Sequence, residues 1–208
     1  MPVVLVANPK GGAGKSTLAT NIAGYYASRG HAVMLGDTDR QQSSRLWLGL
    51  RPALAAPIRG WGTDGDGALL KPPPGTTHAV LDSPAGLHGK RLKELLALAD
   101  RVVVPLQPSL FDIYATRDFL DRLAERTASS KTRIGLVGMR VDGRTLAAQR
   151  LREFEAQLNV PVIAELRDTQ VYVQLAARGL TLFDIAPGRV ERDLAQWAPL
   201  TAWLDARG

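Results

Sequence analysis

The segment KGGAGKS at residues 10–16 combines the residue types that bind phosphate. Its glycines let the backbone bend so that N–H groups point at phosphate oxygens, and a helix that begins near Ser16 adds the positive end of its dipole. Lys15 would reach the β- and γ-phosphates, and the Ser16 hydroxyl would ligate Mg²⁺. The sequence therefore predicts a nucleotide site. Its predicted contacts are Gly11, Gly12, Ala13, Gly14, Lys15, Ser16 and Thr17.

A second lysine, Lys10, stands just before these glycines. The common pattern G-x-x-x-x-G-K-[ST] has a glycine where this chain has Pro9, and it requires no lysine at position 10. A loose phosphoryl-transfer transition state spreads negative charge over its equatorial oxygens, so a further cation would stabilise it as an arginine finger does. The alternative is that Lys10 is a solvated loop charge.

Three aspartates follow two other apolar segments. Asp37 and Asp39 lie in VMLGDTDRQ, and Asp82 lies in AVLDSPAG. The carboxyl ends of strands in an α/β sheet face the ligand crevice, where aspartates hold Mg²⁺ through water or orient the attacking water. One such aspartate is often only a helix cap, but three beside the phosphate loop favour a metal site. The predicted metal ligands are Ser16, Asp37, Asp39 and Asp82.

Short, unbroken apolar runs alternate with segments of helical period along the chain. Such runs are typical of parallel strands that are covered by helices on both faces. We therefore expect one α/β domain over residues 1–208, with a doubly wound, mostly parallel sheet. The predicted strands are 3–7, 32–35, 79–81, 102–104 and 134–137, and the predicted helices are 17–28, 87–99, 113–128 and 146–158.

Two regions fit this alternation less well. Residues 60–77 are rich in glycine and proline and are predicted to form a surface connection with at most one helical turn. The tail at 189–206 has a helical pattern that we expect to break at Pro199. Its apolar stripe is predicted to pack in the core, because its polar face mixes acidic and basic residues and an anionic membrane favours a basic face. The stripe consists of Val190, Leu194, Trp197, Leu200, Trp203 and Leu204.

The composition is that of a soluble globular protein, with 45% hydrophobic and 22% charged residues. The chain has no cysteine, which excludes disulfides, thiolate metal sites and cysteine-ligated iron–sulfur clusters. No run approaches the roughly 20 apolar residues of a membrane span, so we expect a cytoplasmic protein without integral membrane association. The formal net charge of +6 fits either an arginine-rich codon bias or a basic face for nucleic acid or acidic lipid.

KGGAGKS, together with DTDRQ and DSPAG, resembles the deviant Walker A ATPases of the ParA/MinD superfamily. The likeness is closest to short, ParF-like members of its ParA partition branch and covers nearly the whole chain. It implies the P-loop NTPase fold, with ATP and Mg²⁺ as cofactors. VVVPLQPSLFDI and LRDTQVYVQLAARGLTLFD resemble later segments of the same family.

The resemblance also implies roles for individual residues. Lys10 matches the signature lysine, which in that family reaches across a dimer interface to the nucleotide of the other subunit. Lys15 matches the phosphate lysine. Asp39 matches the residue that positions the hydrolytic water, Asp37 supports the metal, and Asp82 matches the Walker B aspartate. The implied catalytic residues are Lys10, Lys15 and Asp39.

The chain departs from the family pattern at two places. Arg40 replaces the usual proline of D-x-D-P-Q, so the backbone after Asp39 is less restricted in φ. An Asn-Arg pair that contacts adenine in the family is Met139-Arg140 here. Arg140 is predicted to stack on the base or to bond to it, and the preference for ATP comes from the resemblance alone.

The implied function is a weak ATPase that dimerises on ATP and positions a cargo. In the ParA branch the ATP dimer binds DNA without sequence preference, and a ParB-like or cargo-adaptor partner stimulates hydrolysis. We therefore expect a homodimer that associates with the nucleoid in its ATP state. The phosphate loop begins almost at residue 1, so operator-specific DNA binding is not expected. The predicted DNA contacts are Arg167, Arg178, Arg189 and Arg192.

Three other functions exist within the superfamily. A MinD-like positioning ATPase on a membrane is the main alternative, and the mixed polar face of the tail counts against it. An ATP-dependent synthetase or amidase partner would need a small-molecule pocket, and no acid/base cluster outside the phosphate site indicates one. A nitrogenase-type electron donor is excluded because the chain lacks cysteine.

Overall fold

A parallel sheet organises the structure, a computed structural model that describes residues 1–62, 69 and 71–206. Within these residues its strands are β1 (Val3–Val6), β2 (Val33–Asp37), β3 (Ile58–Trp61), β4 (His78–Asp82), β5 (Arg101–Leu106), β6 (Arg133–Gly138) and β7 (Val162–Glu165). They are arranged in the order β3-β2-β4-β1-β5-β6-β7, and neighbouring strands run parallel. The predicted parallel α/β sheet is confirmed.

Helices cover both faces of this sheet. They are α1 (Lys15–Ser28), α2 (Ser43–Leu50), α3 (Gly89–Leu98), α4 (Leu110–Thr127), α5 (Leu146–Glu155), α6 (Val171–Ala176) and α7 (Glu191–Asp205). Val4 and Val6 pack with α1 and α7, whereas Val3 and Leu5 pack with α3 and α4. Successive side chains of a strand point to opposite faces, so a strand that is covered on both sides is apolar at every position.

The carboxyl ends of the central strands meet at one edge of the sheet. The register pairs Val6 of β1 with Asp82 of β4, and Asp37 of β2 with the same Asp82. The loop that follows β1 therefore begins beside Asp82, with Asp37 one strand further along the sheet. This arrangement places the glycine-rich segment and the acidic segments in a single site.

Neither of the two edge strands, β3 and β7, was predicted from the sequence. Residues 60–77 were expected to form a surface connection, but Gly60 and Trp61 belong to β3, and Trp61 is buried. An edge strand has one neighbour and a partly solvated surface, so β3 contains the exposed Arg59 and Gly60 in place of an apolar run. The prediction for residues 63–68 and 70 lies outside the described residues.

The expected break at Pro199 is also wrong, because α7 continues from Glu191 to Asp205. A proline inside a helix removes one backbone hydrogen bond, at a cost of about 3 kcal/mol. Here Pro199 and Ala195, four residues earlier, are both exposed, so water can bind the released carbonyl. Burial of Trp197 and Leu200 on the other face holds the helix together.

The apolar stripe of the tail packs in the core, as predicted. The side chains of Val190, Trp197, Leu200 and Leu204 are buried in the cluster that also contains α1. Leu194 and Trp203 are half-buried against the same cluster. In the described part of the chain, the helices are too short or too polar to cross a bilayer.

Helix α1 approaches the turn at residues 181–184 very closely. A Cβ atom on Gly24 would lie 2.6 Å from Cγ2 and 2.8 Å from Cβ of Thr181. Thr181 is fully buried, and its hydroxyl donates to Asp184 Oδ2 at 2.7 Å. The turn therefore has little freedom to move away from the helix.

We expect Gly24→Ala to reduce the free energy of unfolding by about 1–3 kcal/mol, because the added methyl group overpacks this contact. Helix propensity alone would instead raise the free energy of unfolding by about 1 kcal/mol, because alanine favours the helix more than glycine does. Gly49→Ala is the matched control, since Gly49 lies in α2 with open space around its Cβ position. Urea unfolding should show a loss in the first variant only, and a gain in both variants would contradict the packing argument.

Candidate nucleotide-binding site

The loop between β1 and α1 has the backbone geometry of a phosphate cradle. Gly12 and Gly14 have φ angles of +75° and +95°, in the left-handed region that favours glycine. Helix α1 begins at Lys15, close to the start predicted near Ser16, and its N-terminal turn contains no acidic residue. The N-cap is Gly14, which has no side chain to bind the first N–H groups of the helix. Its N–H groups and dipole are thus available to an anion.

Lys15 is held inside this loop. Its side chain is buried, and Nζ donates a hydrogen bond to the carbonyl oxygen of Lys10 at 2.7 Å. Burial lowers the pKa of Lys15, while the negative charges of Asp82 and Asp39 oppose this shift. A buried ammonium group beside two carboxylates is the charge arrangement expected beneath bound phosphates.

Two amide side chains that the sequence analysis did not select support the loop. Asn8 is fully buried; its Nδ2 donates to the carbonyl of Pro105 at 2.6 Å, and its Oδ1 accepts from the N–H of Lys10 at 2.7 Å. Gln107 Nε2 donates to the carbonyl of Gly12 at 2.6 Å. The signal for Asn8 was visible, because a polar amide directly follows the apolar run of β1.

Asp82 has one oxygen bound and one oxygen open. Oδ2 accepts a hydrogen bond from Ser44 Oγ at 2.7 Å, and Oδ1 is buried without a hydrogen-bond partner among the described residues. Burial raises the pKa of Asp82 to about 6, and the hydroxyls of Ser44 and Ser16 oppose the rise. A buried oxygen of this kind requires a partner. A hydrated Mg²⁺ ion shared with Ser16 would satisfy it, so these two residues fit the predicted metal.

Asp37 caps a helix in this structure. Its Oδ2 accepts hydrogen bonds from the N–H groups of Ser44 and Arg45 at the start of α2, and its Oδ1 accepts from the N–H of Asp39. Asp39 is half-buried, and its Oδ1 accepts from the N–H of Gln41. Across the described residues, no three acidic or histidine side chains converge as metal ligands. The metal roles of Asp37 and Asp39 therefore stay predictions.

A cavity of about 510 Å³ adjoins the phosphate loop. Gly14 and Thr17 form one wall, Met139 and Arg140 a second, and residues 167–170 and 172 lie opposite. Arg140 has φ +54°, an uncommon value outside glycine that is often found at functional sites. The position of this cavity suits the nucleoside part of a nucleotide. Its wall from Asp168 to Tyr172 was not predicted, because it depends on a distant segment.

Two of the four arginines predicted to bind DNA, Arg167 and Arg192, line a cavity. Arg167 forms a two-pronged ion pair with the buried Asp193, at 2.7 and 3.0 Å, so it has a structural partner. Arg192 is exposed and lines a second cavity of about 770 Å³ together with Arg167. Arg178 and Arg189 are exposed, and neither is among the residues that line these two cavities.

This second cavity is rich in arginine and opens beside the first. Arg140, Arg167 and Asp168 line both of them. Arg144 and Arg152 on the lining are paired with Asp142 and Glu165 respectively. We call the second cavity the arginine cleft. Its lining arginines are Arg140, Arg144, Arg152, Arg167 and Arg192.

The family model described as the CobQ/CobB/MinD/ParA nucleotide binding domain matches residues 4–182. The protein belongs to this family. The matched span contains the phosphate loop, both acidic strand ends and the walls of the adjoining cavity. The resemblance to the ParA/MinD superfamily is thereby confirmed, and with it the assignment to the P-loop ATPases.

Relatives of known role are similar over most of their length. The chromosome-partitioning ATPase Soj of Thermus thermophilus is 32% identical over 189 residues, covering 74% of each chain. The maintenance of carboxysome distribution protein A of Halothiobacillus neapolitanus is 29% identical over 195 residues, covering 90% of each. The Mg-ADP complex of the septum site-determining protein MinD from Pyrococcus horikoshii shares the fold, with a TM-score of 0.73 at 15% identity over 98% of this chain and 96% of that one.

We expect Asn8→Ala to weaken nucleotide binding about tenfold, since the loss of a buried hydrogen-bonding partner costs about 1–3 kcal/mol and releases Lys10. Asn21→Ala is the matched control. Asn21 is equally an asparagine in the buried core, but it binds the N–H of Leu182 and the carbonyl of Thr17. Titration with a fluorescent ATP analogue should separate the two variants, and equal affinities would refute the bracing role.

Proposed function

We propose that the protein is a single-domain, ATP-dependent switch that dimerises on ATP, hydrolyses it slowly with Mg²⁺ and positions a cargo. The observation that carries this proposal is the way the loop holds Lys10. The N–H of Lys10 is bound by Asn8, and its carbonyl is bound by Lys15. Because its backbone is fixed on both sides, Lys10 would need little reorganisation to place its ammonium group on a nucleotide bound by a second subunit.

The residues of one protomer would share the work of hydrolysis. Lys15 and the N–H groups of the loop stabilise the charge that develops on the phosphate oxygens. Asp39 orients the attacking water, and Ser16 and Asp82 hold Mg²⁺ with support from Asp37. The bound ion supplies neutralisation of the β- and γ-phosphate oxygens. The cation of Lys10, contributed in trans, would make turnover conditional on dimerisation.

Non-specific DNA is the partner that we propose for the ATP state. The basic net charge and the arginine cleft support it, because phosphate contacts need clustered cations. Arg192 and Arg140 would contribute directly, Arg167 more weakly because it is paired with Asp193, and Arg178 and Arg189 as exposed cations outside the cleft. The protein would then be cytoplasmic and bound to the nucleoid while it holds ATP.

A ParB-like or cargo-adaptor protein would complete the cycle by stimulating hydrolysis and releasing the DNA. The relatives named above partition chromosomes or distribute carboxysomes, so a plasmid, a chromosome region or a protein cluster is the class of cargo. The MinD-like membrane alternative has less support. The apolar face of α7 that would enter a lipid surface is buried in the core.

We expect the Lys10→Ala variant to bind ATP normally but not to dimerise when ATP is bound. Its turnover should fall at least tenfold, because the cation supplied in trans is gone. Lys131→Ala is the control, since Lys131 is an exposed lysine just before β6, at the amino-terminal ends of the strands. Sedimentation with a slowly hydrolysed ATP analogue reports the dimer. A monomeric Lys10→Ala variant with wild-type turnover would exclude this role.

Binding of DNA should depend on ATP and fall steeply with salt. We expect Arg192→Gln to lower the slope of log affinity against log salt by about one, as the loss of a phosphate contact does. Arg126→Gln, an exposed arginine on α4, is the control. ATP-dependent binding to anionic liposomes without retention on DNA would favour the membrane alternative.

A further inference from the structure

We propose that Ser44 is a positioning residue for the metal site: its hydroxyl fixes the carboxylate of Asp82 so that Oδ1 is presented to a hydrated Mg²⁺ ion. This inference rests on the proposed function. The sequence gives no hint of it, because Ser44 is one of two adjacent serines in DTDRQQSSR.

Two carboxylates of the site lie on neighbouring strands. Asp37 of β2 and Asp82 of β4 are partners in the register of the sheet, so their like charges are close together. Ser44 is fully buried and donates to both of them. Its N–H bonds to Asp37 Oδ2 at 2.8 Å, and its hydroxyl bonds to Asp82 Oδ2 at 2.7 Å. A single residue therefore fixes the relative position of the two carboxylates.

The hydrogen bond from Ser44 also distinguishes the two oxygens of Asp82. A carboxylate rotates about its last torsion with a broad two-fold preference, so an isolated one has no fixed oxygen to offer. With Oδ2 bound to Ser44, Oδ1 is left buried without a hydrogen-bond partner in the described part of the chain. That oxygen would be available to a water molecule on Mg²⁺, which Ser16 would also help to hold.

The same contact ties helix α2 to the site. Ser44 lies in the first turn of α2, and the N–H groups of Ser44 and Arg45 both bind Asp37. The preceding loop contains Arg40, whose φ angle is not fixed by a ring as that of a proline would be. Ser44 thus supplies a restraint from outside the loop, and a displacement of α2 would alter the orientation of Asp82.

Magnesium affinity is the measurement that tests this proposal. The nucleotide complex is formed with a fluorescent ATP analogue, first in EDTA and then through a Mg²⁺ titration. We expect Ser44→Ala to weaken the apparent Mg²⁺ affinity about 10–100-fold, as is typical when a partner of a metal ligand is lost. Nucleotide affinity in EDTA should stay at the wild-type value, because the side-chain hydrogen bond of Ser44 is made to Asp82 and not to the phosphate loop.

Two further variants separate positioning from stability. Ser44→Thr keeps the hydroxyl but adds a methyl group at a fully buried position, so we expect lower thermal stability with wild-type Mg²⁺ affinity. Thr127→Val removes a buried hydroxyl that donates to the carbonyl of Leu123 in α4, far from the site. It should lose stability without any change in Mg²⁺ affinity. If Ser44→Ala does not fold, Ser44→Cys takes its place, since a thiol of similar shape is a weak donor and should show the same direction of loss in Mg²⁺ affinity.

The outcomes are distinct. Wild-type Mg²⁺ affinity in Ser44→Ala, or a loss of affinity in Ser44→Thr, would overturn the positioning role while the proposed function stands. An equal loss of nucleotide affinity in EDTA and in Mg²⁺ would mean that Ser44 is only structural, which also overturns it. A wild-type complex with no dependence on Mg²⁺ would refute both this inference and the metal in the proposed function.

Discussion

The burial of opposite charges at one edge of the sheet is the constraint on which the rest of the site depends. Lys15 and Asp82 are both almost fully buried, and each is exposed to the field of the other. Removing such charges from water is costly unless hydrogen bonds and counter-charges replace the solvent. The register of β1, β2 and β4 brings the phosphate loop and the acidic strand ends together, so that the opposite charges offset part of this cost.

Neutral donors complete this arrangement. Asn8 connects the end of β1 to the end of β5, Gln107 binds the glycine loop, and Ser44 joins two carboxylates. None of these side chains is itself charged. Asn8 and Gln107 fix the backbone of the phosphate loop, and Ser44 fixes two carboxylates. Rigid support of this kind keeps functional groups in place before a ligand arrives, which lowers the reorganisation that binding requires.

The cavities extend the same edge toward the C-terminal half. Arg140 and Arg167 line both the cavity beside the phosphate loop and the arginine cleft, so the proposed nucleotide site adjoins the proposed DNA contacts. If binding of one ligand changes the affinity for the other, the second ligand changes the affinity for the first by the same factor. Arg140, Arg167 and Asp168 form the wall that the two cavities share, so any such coupling would have a short route through them.

The amino-acid sequence by itself determined the fold class, the phosphate loop and the core face of the tail, because spacing and apolar periodicity are local properties. It placed Lys15 and Ser16 at the start of a helix and Asp82 at the end of a strand for the same reason, and their proposed roles rest on these places. Only the tertiary structure decided that α7 continues through Pro199, that Asp37 caps α2 and that Arg167 is paired with Asp193. It also revealed Asn8, Gln107 and Ser44 as supports of the site. These features depend on contacts between residues whose spacing along the chain follows no rule. Such contacts produce no repeating pattern that could be recognised in the sequence.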